Sequence, residues 1–132
     1  MKFDLKDLNP GTWFYFDESK PDDGKISIRV LNSEKLAKIR SDTIQTKVEY
    51  RANNRHEYHV IDHVGRDKII WDYCIVDWEN LTDDEDNPIE CNTDNKIKLM
   101  NEHIGFSNLV ENCLNQLNAD LAAHDEYLKK TS

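Results

Sequence analysis

Glycine is scarce in this chain, with four in 132 residues, at positions 11, 24, 65 and 105. Loops that cradle phosphate need clustered glycines, so the dinucleotide fingerprint and the Walker loop are excluded. The nucleophile elbow of the serine hydrolases is missing as well. Cysteine is equally sparse: Cys74, Cys91 and Cys113 are odd in number, far apart and without a CxxC pair. That spacing supports neither a disulfide framework nor a zinc ribbon, and reduced thiols in a cytoplasm are the simplest expectation. No apolar run approaches the roughly 20 residues that cross a bilayer, so no membrane partner is expected. The opening MKFDLKDL lacks the apolar stretch of a secretory signal. Bases are also outnumbered, 17 against 26 acids, for a net charge of −9. Such a balance disfavours a nucleic-acid partner.

What the chain does hold is a set of 12 aromatic residues and one concentrated block of acid. The aromatics supply enough apolar area for a packed fold, and the length suits a single domain over 1–132. Asp77, Glu79, Asp83, Asp84, Glu85, Asp86, Glu90 and Asp94 form the block, with no base among them. Outside it the charges nearly balance, so the acidity is a local patch.

Periodicity sets out the elements. Residues 1–11 read as a lead-in closed by the turn Asn9-Pro10-Gly11. Within 12–60, Thr12 to Phe16 and Lys25 to Val30 predict a hairpin that buries Ile26, Ile28 and Val30. A short helix follows, capped by Asn32 or Ser33, with Leu36 and Ile39 on one side. A second hairpin spans Thr46 to Val60, turning at Asn53-Asn54, because asparagine tolerates positive φ. Within 61–132, a helix from Asp62 or Asp67 to Tyr73 leads into a strand, Cys74 to Trp78. The acidic turn ends at Pro88, and Ile89 returns as a short partner strand. Thr93 or Asp94 caps the next helix. Gly105 then breaks the chain and Ser107 caps the last helix. There Leu109, Val110, Cys113, Leu114, Leu117, Leu121 and Leu128 recur at three- and four-residue steps.

The constellations that could carry chemistry have blander readings. His56, His59 and His63 are close in sequence, yet residues three apart on a strand point to opposite faces, so they read as exposed histidines on a polar hairpin. Asp83, Glu85 and Asn87 alternate as in a calcium loop. Pro88 holds the place of the required glycine, and Asp94 that of the final glutamate. A solvated turn is the plainer reading. Cys113 lies on the apolar helix face and Cys74 in a buried strand, so both read as core thiols. Trp71 and Trp78 suit a core, with a ring turned to a partner as the other reading. No catalytic, cofactor-binding or metal-ligating residue emerges, and the expectation is a protein that is not an enzyme and needs no cofactor.

The order of these features resembles the small tail assembly chaperones of long-tailed bacteriophages and prophages. The residues that carry the likeness are Gly11-Thr12-Trp13-Phe14, Ile28-Arg29-Val30-Leu31 and Lys47-Val48-Glu49-Tyr50. Then come Ile75-Val76-Asp77-Trp78-Glu79-Asn80-Leu81, the Asp-rich turn, Asn87-Pro88-Ile89, Asn95 and the Leu-rich C-terminal helix. Family members often place a glycine in that turn, where this chain has Asp86-Asn87. The resemblance implies a non-enzymatic role in the host cytoplasm during assembly. The implied partners are the tape measure protein and tail-tube subunits, with a homo-oligomer as a further option. It also implies a longer frameshifted form, for which Lys129-Lys130 fits an A-rich slippery codon run, although paired lysines equally suit a helix C-terminus.

Candidate partner-binding residues are Trp78, Leu109, Leu117 and Leu121. The alternative function is a tail-completion or head-tail joining component of the virion, and a third reading is an acidic mimic of nucleic acid. The expected fold is α+β, with antiparallel hairpins forming one sheet against the long C-terminal helix and shorter helices.

Overall fold

A computed structural model describes residues 10–131 in backbone and 10–121 in side chains. The lead-in up to Asn9 and the side chains of Leu128, Lys129 and Lys130 lie outside what is described. The fold is α+β. The chain divides into two compact units, Met1–Val30 with Trp71–Ser132, and Leu31–Ile70.

The first unit contains strands β1 (Thr12–Tyr15), β2 (Lys25–Ile28) and β5 (Ile75–Glu79), an antiparallel sheet in the order β1-β2-β5. β2 is central, and Ile26, Ser27 and Ile28 are all buried. Ile26 faces Trp78 across the β2–β5 ladder, and Ile28 faces Ile75. On the other side of β2 the backbone at Gly11 passes close to Ser27. A Cβ there would sit 2.4 Å from Ser27 Oγ, and φ is +107°, so only glycine fits without strain. Helices α3 (Thr93–Glu102) and α4 (Ile104–Thr131) supply Met100, Val110 and Cys113 to the same core as Ile26, Ile28, Ile75 and Trp78. Each fully buried Ile or Val there contributes roughly 1.5–3 kcal/mol.

Polar groups tie the edges of this unit together. Arg29 Nε donates to the Tyr73 carbonyl at 2.7 Å and its guanidinium stacks on the Tyr73 ring at 3.8 Å. Lys96 is buried, and its Nζ donates to the Asp72 carbonyl at 3.1 Å while pairing with the Asp72 carboxylate at 3.3 Å. Thr93 Oγ1 donates to the same carboxylate at 2.8 Å. A buried ammonium needs such partners, since an unpaired one would cost several kcal/mol.

The second unit holds α1 (Ser33–Asp42), β3 (Ile44–Arg51), β4 (Asn54–Ile61) and the start of α2 (His63–Cys74). Asn32 caps α1 by accepting from the Lys35 amide at 2.7 Å. Asp62 does the same for α2, accepting from the Gly65 amide at 3.0 Å. Arg66 Nε donates to Thr43 Oγ1 at 2.9 Å, and Thr43 Oγ1 donates to the Ile39 carbonyl at 2.7 Å, which fastens the start of α2 to the end of α1. β3 and β4 form a ribbon of their own, a separate two-stranded sheet.

Several expectations are corrected here. The hairpins do not join one sheet: β3 and β4 pair only with each other. The register divides their apolar side chains between two faces, Ile44, Val48, Tyr50 and Ile61 on one and Tyr58 and Val60 on the other, so that neither face is uniformly apolar. Their turn centres on Ala52 (φ +50°) and Asn53 (φ +67°), one residue earlier than Asn53-Asn54, which places Arg51 opposite Asn54. Ile89 forms no strand. A single bridge joins Thr82 to Pro88, and the Ile89 amide donates to the Leu81 carbonyl at 2.8 Å. Asn92 caps α3, accepting from the Asn95 amide at 2.9 Å, which leaves Asp94 in the first turn, where a carboxylate complements the dipole. Gly105 does not break the chain. α4 runs through it from Ile104, and the Ser107 amide donates to the His103 carbonyl at 3.0 Å, so Ser107 lies inside the helix.

Candidate client-binding surface

The acidic segment after β5 is an ordered turn built on one carboxylate. Asp83 Oδ1 accepts from the amides of Glu85 at 2.9 Å and Asn87 at 3.0 Å, and the Asp83 amide donates back to the Asn87 carbonyl at 2.9 Å. Asp86 takes φ +62°, the left-handed conformation that glycine would occupy, and aspartate is among the residues that tolerate it. Among the described residues no group of three or more His, Cys, Asp or Glu converges as metal ligands.

This turn separates two clefts in the first unit. One, of about 660 Å³, is lined by Asp22, Asp23, Asp77 and Glu90 above Leu81 and Ile89, with no lysine or arginine on its walls. The other, of about 570 Å³, has Leu81, Ile89, Leu99, Ile104 and Phe106 as its apolar lining. Asp83, Asp84, Glu102 and His103 line it as well. Ile104 is 79% exposed, the largest exposure of any big aliphatic side chain described. An apolar lining with carboxylates beside it suits an amphipathic segment with basic flanks, because each part meets its complement.

The candidate residues are not brought together. Trp78 is withdrawn from the docking set. It is 6% exposed, its Nε1 donates to the Ile89 carbonyl at 2.7 Å, and the Phe106 ring meets it edge-on at 6.0 Å. A large ring beside the β2 isoleucines gains more from the core than from solvent, and its N–H is satisfied there. Leu109 lines a third groove, of about 460 Å³, with Phe14, Tyr15 and Cys113 between β1 and α4. Leu117 is half-buried against the core, and Leu121 is exposed. Leu81, Leu99, Ile104 and Phe106 were not singled out from the sequence. They come from three separate segments, and only tertiary folding assembles them.

The cysteines are shielded. Burial pushes the Cys74 thiol up to about 11, with Arg29 pulling the other way, and burial likewise raises Cys91 and Cys113. Each is therefore a thiol and not a thiolate at neutral pH. His56 and His59 lie on opposite faces of the exposed ribbon, across from Glu49 and Thr46 respectively. Among the described residues no helix is long and apolar enough to cross a membrane. Family models, curated proteins and solved structures give no match to this chain.

Proposed function

We propose that this protein is a non-enzymatic assembly chaperone of bacteriophage or prophage tails, acting in the host cytoplasm on the tape measure protein. What supports the reading is the apolar groove of Leu81, Leu99, Ile104 and Phe106 with carboxylates beside it, next to a second, acidic cleft. A long helical client presents apolar stripes that aggregate when uncovered, and a groove of this kind covers one stripe while the carboxylates keep the complex soluble. The motif resemblance in β5, the turn and the C-terminal helix supplies the particular client.

The test is binding of helical segments of the tape measure protein from the same genome, followed by titration calorimetry and co-purification. A soluble complex is expected. Ile104→Asp should weaken it on the order of 10-fold or more without unfolding the protein, because that side chain is already 79% exposed. Reversal of Asp84 and Glu102 to lysine, which leaves in place the Asp83 carboxylate that holds the turn, should weaken it further at low salt. Purified protein that leaves every such segment insoluble and unbound refutes the role. Stoichiometric recovery from finished virions would point instead to a structural tail component.

A further inference from the structure

The β3–β4 ribbon is the least supported part of the described fold. Both strands are eight residues long and pair only with each other. All of β3 is exposed, including Ile44 at 44%, Val48 at 44% and Tyr50 at 68%. A lone two-stranded ribbon is marginal in water, and an uncovered edge strand is a template for another strand.

The register of the ribbon identifies which backbone groups are free. Positive φ at Ala52 and Asn53 makes the turn a two-residue type I′ connection, closed by the hydrogen-bonded pair Arg51–Asn54. Hydrogen-bonded pairs then alternate along the ladder. Glu49 and Lys47 therefore turn their backbone groups toward β4, while Thr46, Val48 and Tyr50 turn theirs toward the open edge.

We infer that β3 pairs with β3 of a second copy, antiparallel and with a two-fold axis at Val48. That axis sets Val48 against its own copy as a hydrogen-bonded pair, with Thr46 opposite Tyr50 on either side. The intervening non-hydrogen-bonded pairs, whose side chains approach most closely, set Lys47 of each chain opposite Glu49 of the other. Two ribbons thus become one four-stranded sheet, with a charge pair repeated on both sides of the axis. The sequence of β3 is complementary to its own reverse about Val48, and no axis on β4 sets such a charge pair at the close, non-hydrogen-bonded positions. An axis on Glu57 would oppose two carboxylates, and one on His59 would oppose two imidazoles and set Tyr58 against Val60. A heterologous β3-to-β4 contact would propagate instead of closing.

The experiment is sedimentation equilibrium of the full chain across a concentration series, with far-UV circular dichroism as a check on folding. The wild type should approach twice its 15.5 kDa chain mass at high concentration. Lys47→Glu should weaken self-association on the order of 10-fold to 100-fold, since it places like charges at both close pairs. The exchange Lys47→Glu with Glu49→Lys should restore the dimer, because the complementarity is reciprocal. Glu57→Lys, on the other strand, should leave the mass unchanged. A wild type that stays monomeric, a double exchange that fails to recover, or species that grow past a dimer would overturn the pairing.

Discussion

The two units of this chain differ in how they hold charge and how they hold themselves together. Leu31–Ile70 carries 8 bases and 6 acids, a net charge of +2, whereas the remainder carries 9 bases and 20 acids, or −11. The acidic unit has a closed apolar core in which Ile26, Ile28, Ile75 and Val110 have no exposure at all. The other unit buries Ile39 and Thr43 but leaves nearly all of its ribbon in solvent. Like charges crowded on one unit repel, and its core must offset that repulsion. The ribbon carries no such burden and makes no such core. Stability therefore resides in the acidic unit, and the ribbon is free to serve contact.

The largest effect should come from the core of the acidic unit. Ile75→Ala empties a fully buried site between Ile28 and the helices, and a loss of about 2–5 kcal/mol is expected in denaturant unfolding. Trp13, Trp71 and Trp78 all belong to that unit, so tryptophan fluorescence reports its transition. A loss below 1 kcal/mol would mean that the core is looser than its burial indicates. Alkaline pH should act on the same core through Cys74. Its folded pKa of about 11 lies above the ordinary 9.0, so the unfolded thiol ionises first. The stabilising effect of the protonated thiol is complete below pH 9 and is lost as pH rises toward 11. It amounts to about 3 kcal/mol. Cys74→Ala should flatten that part of the stability curve, and an unchanged slope would place the titration elsewhere.

How much of this was legible in the sequence depended on whether the signal was local. Period-two alternation in Lys25 to Val30 and the three- and four-residue steps from Leu109 to Leu117 are local, and they located β2 and α4 but not their details. β2 ends at Ile28 with Ser27 buried as well, Val30 is only half-buried, and α4 begins at Ile104. The cap of α3 was misplaced on Thr93 or Asp94 although the signal for Asn92 was local: asparagine is among the best N-caps, and Asp94 belongs in the first turn. The single sheet was not legible as wrong. Val48 with Tyr50 and Tyr58 with Val60 each alternate as a half-buried strand should. Yet Tyr58 pairs with Lys47 and Val60 with Gln45, which sets the two apolar pairs on opposite faces of the ribbon, and alternation within one strand does not record that. Trp78 illustrates the reverse. Its residue type suits either a core or a partner-facing ring, and Ile26 across the ladder with Phe106 from α4 decides for the core. The groove of Leu81, Leu99, Ile104 and Phe106 joins residues up to 25 positions apart, and no local pattern encodes that meeting.

The smallest expected effect is the sharpest check on the contrast between the units. Tyr58 sits opposite Lys47 on the ribbon and is 44% exposed. Tyr58→Ala removes one cross-strand contact and no core contact, so the tryptophan-detected transition should move by no more than about 0.5 kcal/mol. Amide exchange should tell the complementary story: ribbon amides of β3 and β4 should exchange faster than those of β2, which is paired on both edges. A transition displaced as far as by Ile75→Ala would make the ribbon part of the same cooperative core. The charge division between the units would then have no counterpart in their stability.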